Sequence, residues 1–117
     1  MGTSFIEYKG FGFWSRDRNI QDWVTALIAE MRMLTAPEPW QDELIESWQH
    51  EVQVDGGCIS LRLDEWFADE LRRDLVRRVA AQAVRRATED AKRTGELFVA
   101  LLAGDLRTNV RSPIDYL

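Results

Sequence analysis

The clearest hydrophobic pattern in the chain predicts an amphipathic helix near residues 17–35. Its apolar positions recur at spacings of three or one, which places them on one face of an α-helix. The members of that face are Ile20, Trp23, Val24, Leu27, Ile28, Met31 and Leu34. Ser15 or Asp17 can cap the start of this helix by accepting a backbone N–H. Pro37 and Pro39 follow its end, where a missing amide stops propagation.

A second helix is predicted at 39–53, since Pro39 suits the first helical turn. Its apolar face consists of Trp40, Leu44, Ile45, Trp48 and Val52. The turn sequence Asp-Gly-Gly at 55–57 closes it. The alternation that follows predicts a short strand over 58–63. Two interpretations of residues 52–63 stay open: a hairpin, or a helix end followed by a loop.

A long segment without proline or glycine predicts a third helix at 64–94, with a break near 68 as the alternative. Asp64 is a candidate cap for its start. Its inner face is alanine-rich and leaves room for close packing: Val76, Val79, Ala80, Ala83, Ala87 and Ala91. Gly95 is expected to end this helix, as glycine commonly does. A short apolar helix at 96–103 should follow.

The first residues are rich in aromatic side chains and contain Gly10 and Gly12. Both features weaken helix formation, so residues 4–13 are predicted to form a short β element. The expected fold is therefore mainly α, with about four helices in a single globular domain spanning 1–117. In the last dozen residues, Ile114, Tyr116 and Leu117 are candidates for contact with the core.

Length and composition restrict the class of protein. The chain has 117 residues and a single cysteine, Cys58, so no internal disulfide can form. The N-terminal residues lack a basic region followed by an apolar run, and no apolar stretch approaches the length of a membrane span. We therefore expect a protein of the bacterial cytoplasm that does not enter a membrane.

Residues suited to catalysis or metal binding are scarce. His50 is the only histidine, and although Cys58 and Asp55 are close in sequence, their spacing matches no nucleophile–base arrangement. Glu46 and His50, four residues apart, could supply at most half of a metal site. We expect no catalytic residues, no metal and no cofactor, and hence no enzyme.

Basic residues are concentrated in the second half of the chain. Its first 58 residues hold four basic and ten acidic side chains, whereas residues 59–117 hold eleven basic and ten acidic ones. Most of the arginines lie on the predicted helix at 64–94, spread over its outer surface and interleaved with acids. That pattern is typical of a solvated helix. With a sequence pI near 4.9, it argues against nucleic-acid binding.

The acidic half contains the most suggestive feature of the sequence. Six carboxylates and no lysine or arginine lie between Arg32 and Arg62. Three of them fall within one arc of the helix at 39–53, and the candidate partner-binding residues are Asp42, Glu43, Glu46, Trp40 and His50. Like charges this close repel unless a cation or water screens them. They therefore face solvent, pack against the arginine-rich helix, or meet a basic partner.

Two functional hypotheses follow. The first is a non-enzymatic acidic protein that binds a basic protein, for example as an inhibitor or immunity-type partner, because electrostatic steering speeds such capture. The second is a structural or scaffold protein that forms a homo-oligomer through its alanine-rich helix face or exposed tryptophans.

Overall fold

A computed structural model describes residues 2–34, 37–53, 58–105 and 110–111. Its elements, in chain order, are β1 (Thr3–Tyr8), β2 (Phe11–Arg16), α1 (Asp17–Met31), α2 (Pro39–Gln53), α3 (Leu63–Trp66), α4 (Glu70–Arg86), α5 (Glu89–Ala103) and β3 (Val110–Arg111). The fold is mainly helical with a short β element, as the sequence pattern predicts.

The aromatic N-terminal segment forms an antiparallel hairpin of β1 and β2. Tyr8 pairs with Phe11 across a two-residue turn, and both turn residues, Lys9 and Gly10, have positive φ. That turn conformation matches the twist of the flanking strands and strongly favours glycine. β3 pairs antiparallel with β2 and completes a sheet of order β1-β2-β3.

Helix α1 lies at the centre of the helical layer and packs against α2, α4 and α5. Its apolar positions from Ile20 to Met31 are buried, as the spacing predicts. The helix ends at Met31, earlier than the predicted 35, because the amides of Met33 and Leu34 turn to carbonyls three residues back, and Leu34 lies half-buried beyond its end. Trp23 of α1 and Trp48 of α2 both contact the ring of Phe98 from α5. Phe67 packs edge-on against Trp48, so these aromatic rings join four parts of the chain into one core.

The predicted strand at 58–63 is wrong. Residues 58–62 have no regular structure and Leu63 begins α3. The hydrogen bonds of this segment go to side chains instead of a ladder: the Ile59 amide donates to Ser4 Oγ, and the Leu61 carbonyl accepts from Trp48 Nε1. The hairpin alternative is excluded up to residue 53, which is helical, while 54–57 lie outside the described residues.

The boundaries predicted for the third and fourth helices are also wrong in part. The break near 68 is present, since α3 ends at Trp66 and α4 begins at Glu70, with Asp69 Oδ1 accepting the Leu71 amide. A second break falls at Ala87 and Thr88, where the Thr88 side chain caps α5 by accepting the Ala91 amide.

Gly95 lies inside α5 and does not end a helix. A Cβ atom at this position would lie 2.6 Å from Trp23 Cε3, so only glycine lets the indole approach the α5 backbone. Gly104, with φ +78°, is the residue that ends α5. Ile114, Tyr116 and Leu117 lie outside the described residues.

Candidate partner-binding face

Helix α2 divides cleanly into a buried side and an exposed side. Trp40, Gln41, Leu44, Ile45 and Trp48 are buried. Asp42, Glu43 and Glu46, which we call the acidic strip, are all exposed, as is His50. At about 100° per residue the four side chains fall within one arc directly opposite the buried side. These four residues thus lie on one outer surface of α2, as their spacing predicts.

No cation neutralises the acidic strip in the part of the chain that the structure describes. The ion pairs there join Asp74 to Arg73 and Arg77, and Glu30 to Arg86. The arginine-rich helix α4 packs against α1 and α5 instead of covering α2. Of the alternatives for these carboxylates, pairing with that helix is therefore excluded for the described residues, and the strip faces solvent.

Trp40 occupies a different position from the other candidate residues. Its side chain is 7% exposed, and its Nε1 donates a hydrogen bond of 2.6 Å to Glu38. The guanidinium of Arg72 lies 5.1 Å from the centroid of its ring, a distance at which the cation is attracted to the aromatic face. The indole is thus largely buried and in contact with neighbours of the fold, and a role for Trp40 in partner binding stays a prediction.

His50 lies in the last turn of α2, exposed and four residues after Glu46. Cys58 is exposed as well, while Asp55 falls outside the described residues. Among the residues that the structure places, no three His, Cys, Asp or Glu side chains converge as a metal site would require. His50 is therefore a polar member of the exposed α2 surface beside the strip.

The hairpin also carries an aromatic pair that the sequence pattern did not single out, one ring of which is exposed and the other half-buried. Phe5 and Trp14 are cross-strand neighbours of the hairpin, with ring centroids 5.0 Å apart, and Trp14 is 56% exposed. The alternation of side chains along the two strands could have indicated this pair. Ile6 and Phe13 point into the core, so their neighbours Phe5 and Trp14 point to the other face of the hairpin. The hairpin register was needed to see that both rings share one face.

A cleft of about 540 Å³ lies where the turn end of the hairpin meets α4 and the end of α5. Lys9, Arg73 and Arg77 contribute its positive charges, and Asp74 is the carboxylate among its described lining residues. Hydrogen bonding with the Tyr8 side chain and the nearby Asp74 carboxylate raise the pKa of Arg73 above its ordinary value, against the opposing effect of partial burial. Like any arginine guanidinium in a protein, it carries a positive charge.

Within the described residues, no helix combines the length and apolarity that crossing a membrane requires. Comparisons of the chain with protein-family models, with curated proteins and with solved structures gave no match. Inference about function consequently depends on the charges and exposed surfaces of this molecule.

Proposed function

We propose that this protein binds a basic protein partner through the acidic strip, with His50 at its margin, in an inhibitor or immunity type of role. The observation that supports this proposal is the exposure of three carboxylates on one helix face with no cation beside them in the described residues. A non-enzymatic role in the cytoplasm is part of the same proposal.

The energetics of the strip favour a role in binding. Asp42 and Glu43 precede Glu46 by four and three residues, so each stands next to Glu46 on the helix surface. Each like-charge pair at these spacings destabilises a helix by about 0.2–0.5 kcal/mol. A basic partner would remove that repulsion on binding, and the field of the strip would speed its approach at low salt.

The test compares capture of partners by two variants of equal net charge. In the first, Asp42→Asn, Glu43→Gln and Glu46→Gln remove the strip. In the matched control, Glu65, Glu89 and Glu96, exposed acids on α3 and α5, are all changed to Gln. Each immobilised protein is exposed to lysate of the native host at low salt, eluted with a salt step, and the eluate is identified by mass spectrometry.

We expect one basic protein in the eluates of the wild type and the control, and its loss from the strip variant. Purified partner should then bind with an affinity that falls steeply as salt shortens the Debye length from about 10 Å at 0.1 M to about 3 Å at 1 M. Equal binding by the strip variant and the control would remove the case for the strip.

Self-association is the second candidate, favoured by the exposed ring of Trp14 and the half-buried ring of Phe5 beside it. Its other suggested basis, the alanine-rich helix face, is already used inside the fold, where Ala80 and Ala83 are buried. Sedimentation across a dilution series separates the candidates. A self-associating chain should lose mass on dilution and become monomeric in Trp14→Ser, whereas a capture protein should be monomeric throughout.

A further inference from the structure

The cleft beside the hairpin turn has the composition of a ligand site. Three elements enclose it: the end of β1 and the following turn, the first half of α4, and the last turn of α5. Its volume of about 540 Å³ is within the range of pockets that hold small molecules, roughly 300–1,000 Å³. Such pockets combine an apolar surface with a few converging polar groups, and both are present here.

The charges of the cleft do not balance. Asp74 lies 3.4 Å from Arg73 and 3.9 Å from Arg77, so one carboxylate is shared by two guanidinium groups. Lys9 adds a third cation, and Asp64 accepts a hydrogen bond of 2.9 Å from the Lys9 backbone amide. Even if Asp64 offsets the whole charge of Lys9, one positive charge stays uncompensated among these groups.

A purely structural role accounts for only part of this charge. The last turn of α5 has no basic residue of its own, and cations near a helix C-terminus interact favourably with its dipole. That dipole is equivalent to about half a negative charge. It is smaller than the excess among these described lining groups, which is positive although the chain carries a net charge of −5.

Part of the cleft lining is apolar. Phe11 from the hairpin and Leu101 and Leu102 from α5 line the cleft together with Arg73 and Arg77 of α4. In addition, Arg73 Nε is buried without a hydrogen-bond partner in the described residues. A buried donor without a partner is unfavourable, and this N–H of Arg73 is not satisfied by its neighbours in the described residues.

We propose that this cleft binds a small organic acid with an apolar body. Its carboxylate would pair with Arg73 and Arg77, the fork geometry of a guanidinium being suited to carboxylate oxygens. Its hydrocarbon part would lie on Phe11, Leu101 and Leu102. One carboxylate matches the excess of one charge, and the apolar part of the lining distinguishes such a ligand from a simple inorganic anion. This site is separate from the acidic strip and does not depend on the function proposed for it.

Three soluble probes test the two halves of the proposal separately. 4-Phenylbutyrate has both the carboxylate and the apolar body, 4-phenyl-1-butanol has only the apolar body, and acetate has only the carboxylate. Each is titrated into the whole protein at low salt and followed by isothermal calorimetry and by ¹H–¹⁵N NMR. We expect saturable binding of phenylbutyrate alone, with the largest shifts at the amides of Lys9, Ala103 and Gly104, which border the cleft.

The variants are Arg73→Gln and Arg77→Gln, with Arg85→Gln, an exposed position on the same helix but not part of the cleft lining, as the control. Losing one charge-assisted hydrogen bond should raise the Kd for phenylbutyrate by roughly tenfold or more, and the control should leave it unchanged. Arg77 is 37% exposed, so its variant should fold even if Arg73→Gln does not. Equal binding of phenylbutanol, unchanged affinity in Arg77→Gln, or shifts mapping elsewhere would each overturn the proposal.

Discussion

Neutralising Glu46 should stabilise the protein, although the substitution removes a charge from the proposed binding face. Glu46 is exposed in the middle of α2, one turn after both Asp42 and Glu43. Glu46→Gln keeps the shape of the side chain and removes two repulsive pairs, each of about 0.2–0.5 kcal/mol. The expected gain in the free energy of unfolding is about 0.4–1 kcal/mol.

Urea denaturation followed by tryptophan fluorescence measures this change. Because the effect is electrostatic and lies at the surface, the gain should largely disappear at about 1 M salt. A gain that is insensitive to salt would point to a change in helix propensity or packing instead.

The matched control is Glu96→Gln on α5, which is also exposed but follows Lys92 and Arg93 by four and three residues. There the same substitution removes two attractive pairs, so it should lower the free energy of unfolding by about 0.4–1 kcal/mol. Opposite signs at the two sites would establish that the local charge pattern decides the outcome. Destabilisation by Glu46→Gln at low salt would refute the view that the acidic strip is an uncompensated cluster.

Two further predictions concern how the fold is held together. Gly95→Ala should destabilise the protein by up to about 2 kcal/mol, since overpacking against the Trp23 ring (about 1–3 kcal/mol) outweighs the gain in helix propensity (about 1 kcal/mol). A more stable variant in urea denaturation would contradict this account. Ser4→Ala should lower the free energy of unfolding by about 1–3 kcal/mol in the same measurement. The reason is that the buried Ser4 hydroxyl donates a hydrogen bond to Asp17 and accepts one from the Ile59 amide. Ser60→Ala, at an exposed position, should change stability little, and equal losses in the two serine variants would refute the role of Ser4.

The helices with strong hydrophobic periodicity could be predicted from the sequence because burial follows directly from that period. Helix α2 begins and ends at the predicted residues 39 and 53, and all the apolar positions on α1 up to Met31 are buried. The errors arise where tertiary contacts override local preference. Gly95 favours a helix end in isolation, yet its missing side chain is used for close packing against Trp23.

The prediction of a strand at 58–63 was wrong for a related reason. Its alternation of apolar and polar residues is real, and Ile59, Leu61 and Leu63 are all buried. Its hydrogen-bonding groups, however, find Ser4 and Trp48 instead of a neighbouring strand. A period of two indicates which side chains point inward, but the sequence alone does not reveal which partner satisfies the backbone.

For the candidate site, the sequence was sufficient to predict which side chains of α2 are exposed. It was not sufficient to predict whether another element of the fold covers them. The spacing of Asp42, Glu43 and Glu46 was sufficient to place them on one outer arc of α2. Whether a basic helix would cover them depends on the packing of α4, which no local pattern determines. The same limit applies to Trp40, whose ring is occupied by Arg72 from α4.

In the acidic strip and in the cleft, charges of one sign lie close together without a full set of partners in the described residues, which lowers stability. Such local costs are expected at functional sites. The two places lie on different elements: the strip on α2, the cleft on the hairpin turn, α4 and α5. Each can therefore be altered without touching the other. If Glu46→Gln gains stability and loses partner binding while phenylbutyrate still binds, the strip is retained for its partner at a cost to the fold. If Arg77→Gln loses only the organic acid, the protein has two independent binding surfaces of opposite charge.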